Sequence, residues 1–328
     1  MMELSIRKDI IGEIVDKINK SSIIAIAGHV SPDGDSVASC LAFAMSVKKL
    51  GKTPIVLMEE IPSKYKSISG REFIKTEYPT ELSAPDLFIS CDCGSKDRMG
   101  RFEELFDKTE ETIVIDHHIS NTSYGKTNYV DAKSSSASEL AYDVIVAIDN
   151  MDIDIASALY AGIIFDTGGL RFKSCSPDTF VKISKLVEIG IPFDEIYSDI
   201  MLTRSYNSTL LFAQVVGKMK FMEGLPVVYS TVTKAEMESL GTSRSDLEGI
   251  SGYMLNIEGA EVSVLISEFG ENESKASFRS KKMDVNALAA NWGGGGHVNA
   301  AGATIKLKPE AALPQVLDTI AERYRDGI

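Results

Sequence analysis

Short apolar runs alternate with stretches of helical periodicity through the first half of the chain. Residues 23–27, 54–58, 87–91 and 112–115 are largely apolar and bounded by polar or turn-forming residues, the pattern of strands. Residues 36–50 and 98–106 carry helical patterns between them. Strands spaced by helices predict βαβ units, and so an α/β fold with a doubly wound, mostly parallel sheet. Helical patterning then continues over 136–148, 154–165, 177–189, 193–201 and 208–216. The texture changes near residue 218. Strands are expected at 225–232, 262–269, 276–280 and 303–307, with helices at 234–240, 245–253, 285–292 and 309–324. The expected division is an N-terminal α/β domain over 1–191, a helical connector over 192–217 and a smaller α/β domain over 218–328.

Composition narrows the function classes. At 328 residues the chain can bury two ordinary cores, and 44% hydrophobic with 25% charged residues is a globular balance. No apolar run approaches the roughly 20 residues of a membrane span. The N-terminus lacks the features of a secretory signal, so a cytoplasmic location is expected. A net charge of −13 disfavours broad binding to long nucleic acid, which relies on cationic surface. It leaves open a small phosphorylated substrate held by metal ions, because bound cations reverse the local field. Four cysteines supply no disulfide framework for a chain of this size. Cys91 and Cys93 flank Asp92, and in an extended strand both should point away from it as packing residues.

The chemistry concentrates around four histidines, His29, His117, His118 and His297. The run G-H-V-S-P-D-G-D-S over residues 28–36 places His29 at the end of a predicted strand, with Asp33 and Asp35 in the turn into the next helix. An Asp there also serves as a helix cap, but a cap accounts for one carboxylate and not for three converging groups. Asp92 ends the third strand, and Asp116, His117 and His118 end the fourth. In open parallel sheets the ligand site lies outside these carboxyl ends. Asp166 follows an apolar helix in A-G-I-I-F-D-T-G-G.

His29, Asp33, Asp35, Asp92, His117 and Asp166 form an oxygen-rich set with some imidazole, which suits Mn²⁺ or Mg²⁺. Six groups are too many for one catalytic ion with open positions and suit a pair sharing a carboxylate. Paired ions clamp a phosphoryl group for in-line displacement, so the chemistry implied is phosphoester hydrolysis.

A second run, A-N-W-G-G-G-G-H-V-N-A-A-G over residues 290–302, brings four glycines beside His297. Unhindered backbone amides at Gly294, Gly295 and Gly296 are expected to approach an anion. Arg279 and Ser280, in S-F-R-S, add a side chain suited to bidentate phosphate contacts and a neighbouring hydroxyl. P-loop and dinucleotide fingerprints are absent from the sequence.

Together these motifs resemble the DHH/DHHA1 phosphoesterases, a family named for the triad found here as Asp116-His117-His118. The H-x-x-x-D-x-D run, Asp92 and Asp166 match its other metal motifs, and G-G-G-G-H-V-N-A-A-G looks like the DHHA1 signature. Length, spacing and D-T-G-G-L-R-F are most similar to the nanoRNase (oligoribonuclease) and pAp phosphatase branch. That resemblance implies hydrolysis of short RNA oligonucleotides to mononucleotides and of adenosine 3′,5′-bisphosphate (pAp) to AMP. The alternative within the same chemistry is cleavage of cyclic di-AMP or linear dinucleotides; a non-catalytic nucleotide sensor is the reading from another class. The resemblance also implies two Mn²⁺ ions, with Mg²⁺ or Co²⁺ as substitutes. His29, Asp33 and Asp92 would hold one, and Asp35, Asp92, His117 and Asp166 the other. His118 would face the scissile phosphate, Asp116 would orient a histidine, and Arg279, the glycine run and His297 would grip the substrate's far end. A homodimer through the N-terminal domain is compatible with the resemblance, though no residue pattern specifies one.

Overall fold

The computed structural model describes residues 4–59, 65, 67–325 and 327, and the chain divides after Thr203 into two compact units. In the first, α1 (Leu4–Lys20) leads into β1 (Ile23–Ala27), α2 (Gly34–Lys49), β2 (Thr53–Leu57), β3 (Ile74–Lys75) and β4 (Leu87–Cys91). There follow α3 (Glu103–Lys108), β5 (Glu111–Asp116), β6 (Thr127–Val130), α4 (Ala137–Ile148), α5 (Ile153–Asp166), α6 (Pro177–Glu188) and α7 (Phe193–Tyr197). All six strands are parallel, in the order β3-β2-β1-β4-β5-β6.

Alternation along the strands explains why they read as nearly continuous apolar runs. Ile24, Ile26, Val56, Ile89, Ile113 and Ile115 face a core shared with α2, α4 and α5. Ala25, Ala27, Ile55, Leu57, Phe88 and Val114 face a smaller core under Phe102 and Phe106. Both faces are covered, as parallel sheets require. Helix α2 is buried almost throughout, wedged between the sheet and α5, which is why its sequence is apolar on all sides.

The order reverses between β1 and β4, the switch point where ligands settle in doubly wound sheets. Cys91 and Cys93 do not share a face, against expectation. Asp92 between them sits at φ +53°, a left-handed turn that ends the strand, so Cys91 joins the α2 core and Cys93 the opposite one.

In the second unit, α8 (Tyr206–Gly217) precedes β7 (Lys220–Phe221), β8 (Val227–Val232), α9 (Lys234–Ser239), α10 (Ile250–Leu255), β9 (Val262–Gly270) and β10 (Glu273–Ser280). It closes with α11 (Val285–Ala289), β11 (Gly295–His297), β12 (Ala300–Ile305) and α12 (Pro309–Arg325). The sheet order is β11-β12-β10-β9-β8-β7, with only β8 and β9 parallel among its described pairs. Residues 192–217, expected as a separate connector, are instead divided. Helix α7 and the π-helical turn after it belong to the first unit, where Ile200 enters the core. Helix α8 belongs to the second, where Leu211 and Val215 pack against Val228, Ile250 and Met254. Each half buries its own apolar stripe and so has no independent existence. Among the described residues no helix is long and apolar enough to cross a membrane.

Candidate metal centre

The strand ends of β1, β4 and β5 and the helix ends of α2 and α5 deliver their acidic and imidazole groups to one place. His29 follows β1, and its Nδ1–H donates to the Val30 carbonyl at 2.9 Å, which turns Nε2 toward the cluster. That Nε2 lies 3.8 Å from Asp33 Oδ2 and 3.6 Å from Asp92 Oδ2. The other oxygen of Asp92, Oδ1, lies 3.5 Å from His117 Nε2, which is itself 3.4 Å from Asp166 Oδ2. Asp92 thus turns one oxygen toward each imidazole. His29, Asp33 and Asp92 form one group whose ligand atoms all fall within 4.8 Å, and Asp35, His117 and Asp166 form another. A third, Asp92 with His117 and His118, overlaps both.

Each residue reaches this place for a local reason. Asp33 caps α2, accepting from Asp35 N and Ser36 N at 3.1 Å through Oδ1, which frees Oδ2 for the cluster. Asp166 is the last residue of α5. Gly34 is required where α2 begins, because a Cβ there would meet the Phe165 ring at 2.5 Å. His118 Nδ1–H donates to Asp116 Oδ1 at 2.7 Å, which fixes the orientation of the ring.

The electrostatics fit a cation-binding site. Asp35 and Asp92 are 0% and 2% exposed, an arrangement that is costly without positive charge. Burial pushes Asp35 up to about 7 and the Asp92 charge adds to this, while His117 opposes it. Burial likewise drives Asp166 well above the usual carboxylate range. Asp92 is held below that range because hydrogen bonds with His117 and His29 overcome its burial. Burial would lower the His29 imidazole, but Asp33 and Asp92 outweigh it and raise it to about 11. His118 is raised by Asp116 against the same opposition from burial.

Three contributors escaped the sequence reading. Asn121 donates from Nδ2 to Asp116 Oδ2 at 2.6 Å and to Cys93 O at 3.2 Å, fixing the carboxylate that orients His118. The amides of Ala137 and Ser138 donate to Asp35 Oδ2 and Oδ1 at 2.6 and 2.9 Å. The only trace of Asn121 in the sequence is its place just after the histidine pair. Nothing local links residues 137–138 to Asp35, a hundred positions earlier.

The glycine run in the second unit departs from expectation. Three of its four amides are committed: Gly293 N donates to Ala290 O, Gly294 N to Ala289 O, and Gly296 N to Asn286 Oδ1. Gly295 and Gly296 pair with Gly302 and Ala301 as part of β11. Glycine is needed for space, since a Cβ at Gly294 would lie 2.3 Å from Gly302 O, and one at Gly296 2.5 Å from Ala300 O. Ser280 is buried, and its Oγ accepts from Lys282 N and Met283 N, so it shapes the turn after β10 instead of facing solvent.

Arg279 and His297 do share a face. Arg279 pairs with Ala300, and Ala300 pairs with His297, so the two side chains stand in one row across β10, β12 and β11. Their strands are about 10 Å apart, two inter-strand spacings. Ala300, Gly302 and Gly295 share that face with Ser277, and Gly302 and Gly295 are exposed.

Residues 23–163 match the model of the DHH family, N-terminal domain, and residues 224–326 match that of the DHHA1 domain. The bifunctional oligoribonuclease and PAP phosphatase NrnA of Thermus thermophilus is 28% identical, over 91% of this chain and 89% of that protein. Its namesake from Bacillus subtilis is 27% identical, over 91% and 94%. The crystal structure of an exopolyphosphatase-related protein from Bacteroides fragilis superposes with a TM-score of 0.88 at 25% identity, covering 97% of both chains.

Proposed function

The chain belongs to the DHH family, with that family's N-terminal domain followed by a DHHA1 domain, and on this premise we propose a two-metal, manganese-using hydrolase of short oligoribonucleotides and pAp. The observation that carries the proposal is Asp92, whose two oxygens face two imidazoles in two adjoining ligand groups. His29, Asp33 and Asp92 would hold one ion, and Asp35, Asp92, His117 and Asp166 the other. When bound, such ions supply positive charge to phosphoryl oxygens and lower the pKa of water. His118, held by Asp116, would stabilise charge on the phosphate or protonate the leaving oxygen. In the second unit, Arg279 and His297, in one row across its sheet, would bind a phosphate group. The substrate choice follows the activities named for the Thermus and Bacillus relatives, which align along most of their length.

The test is a Mn²⁺-supplemented turnover assay on a ribodinucleotide, pAp, cyclic di-AMP and an RNA of about 20 nucleotides. Mononucleotides released fastest from the dinucleotide, with AMP from pAp, are expected for a site that accommodates small ligands. Equal rates on the long RNA would contradict the proposal. Dominant cleavage of cyclic di-AMP would reassign the substrate while keeping the chemistry.

A further inference from the structure

Asp35 is fully buried, and each of its oxygens is met by a backbone amide from a distant segment: Ala137 N at Oδ2 and Ser138 N at Oδ1. These are the first two amides of α4, which lack acceptors within their own helix. The end of the helix adds partial positive charge at the carboxylate. The turn that presents them is itself tied down. Ser136 Oγ caps α4 by accepting from Glu139 N at 3.0 Å. The buried Glu139 carboxylate accepts from Ser135 N at 3.1 Å and Thr179 Oγ1 at 3.0 Å, while Lys182 Nζ donates to its main-chain carbonyl at 3.2 Å. On the opposite side α5 closes in at Gly162, where a Cβ would lie 2.8 Å from Asp35 Oδ1 and 2.0 Å from Ser138 Oγ.

We infer that the first turn of α4, backed by Gly162, is a positioning element that sets Asp35 as a metal ligand. A carboxylate oxygen has two acceptor directions. One direction on each oxygen is taken by an amide, which fixes the carboxylate plane and leaves the remaining directions for a cation beside His117 and Asp166. The inference rests on the two-metal reading above.

Ala137→Pro tests it with little disturbance elsewhere. Proline is tolerated at the first position of a helix. The preceding Ser136 already has the extended φ −165°, ψ 162° that a following proline demands. The substitution removes the amide that reaches Oδ2 at 2.6 Å and puts the proline Cδ in its place, so Asp35 loses that partner and must turn away. Mn²⁺ binding is read by calorimetry and by electron paramagnetic resonance, without substrate. The wild-type chain is expected to bind two ions. Ala137→Pro is expected to weaken one of them at least about tenfold, the scale of losing a ligand's orienting partner. The conservative Ala137→Gly, which keeps the amide, is expected to restore two-ion binding.

Two ions bound equally well by a folded Ala137→Pro protein would overturn the inference and leave the two-metal reading intact. Failure of the wild type to bind any ion would overturn both. If Ala137→Pro does not fold, amide proton shifts decide the question. Those of Ala137 and Ser138 should lie downfield in the wild type and move upfield in Asp35→Ala; no movement would overturn the inference.

Discussion

His118 Nδ1 lies 2.7 Å from Asp116 Oδ1, and the other oxygen of that carboxylate accepts from Asn121 Nδ2 at 2.6 Å. This chain of bonds commits Nδ1 and fixes the ring, as the proposed role of His118 at the phosphate requires. His118→Ala is therefore expected to lower kcat by about 10²- to 10⁴-fold, the range of a lost acid–base group. Asn121→Ala should cost about tenfold, because it acts through Asp116. Steady-state kinetics beside Mn²⁺ stoichiometry checks both. A His118→Ala protein with full kcat would remove the imidazole from the mechanism.

Metal binding should release protons. Burial lowers His29, but the Asp33 and Asp92 carboxylates beside it prevail and raise it to about 11. Burial and the Asp92 charge raise Asp35 to about 7. An imidazole or carboxylate coordinates only once deprotonated, so affinity should climb steeply with pH up to about 7 and less steeply from there toward 11. The stability of the metal-free chain should run the opposite way. With Asp35 raised from 3.8, the folded state binds more protons than the unfolded state across the window from there to about 7, so stability falls as pH rises through it. The His29 contribution is complete below 6.5 and is lost as pH rises toward 11. A Mn²⁺ titration in weak buffer at neutral pH, read with an indicator dye, should acidify. No proton release would contradict the assignment.

Gly34→Ala should disturb fold and site together. The added Cβ would fall 2.5–2.9 Å from Phe165, next to Asp166. Overpacking of this kind costs about 1–3 kcal/mol. Urea unfolding should show that loss, and Mn²⁺ affinity should fall because Phe165 carries Asp166 with it. Unchanged affinity would show that the α5 end tolerates displacement.

Lys182 is nearly buried and bridges α4 and α6, with Nζ at 3.5 Å from Glu139, 2.9 Å from Asp143 and 3.1 Å from Asp178. Lys182→Met leaves the buried Glu139 carboxylate without its cation, while Asp143 keeps Arg7 and Asp178 is exposed. Removing one partner of such a set costs about 3–5 kcal/mol. Chemical denaturation should read this loss; a change below about 1 kcal/mol would mean the cluster relaxes or Arg7 compensates.

Much of the first unit was legible because its strands are buried on both faces and end in chemistry-bearing residues. Residues 87–91 are β4 as expected, and the residues after β1, β4 and β5 meet at the switch point because parallel strands align their carboxyl ends. The short strands β3, β6, β7 and β11 were not legible. Thr127–Val130 and Gly295–His297 gain strand character only from the neighbour they pair with. The left-handed turn at Asp92, the α4 amides on Asp35 and the Asn121 bond to Asp116 are tertiary relations with no local periodicity. The glycine run was legible as a place of close approach. What approaches it is the backbone of β12, which the composition alone does not distinguish from an anion.

The central claim is that one carboxylate serves two ions. Mn²⁺ stoichiometry and turnover of a ribodinucleotide, measured on the wild type and on Asp92→Ala in the same preparation conditions, test it most directly. The expected result is two ions and turnover for the wild type, against weakened binding at both sites and no detectable turnover for Asp92→Ala. An Asp92→Ala protein that binds two ions and turns over at the wild-type rate would contradict the shared-carboxylate centre.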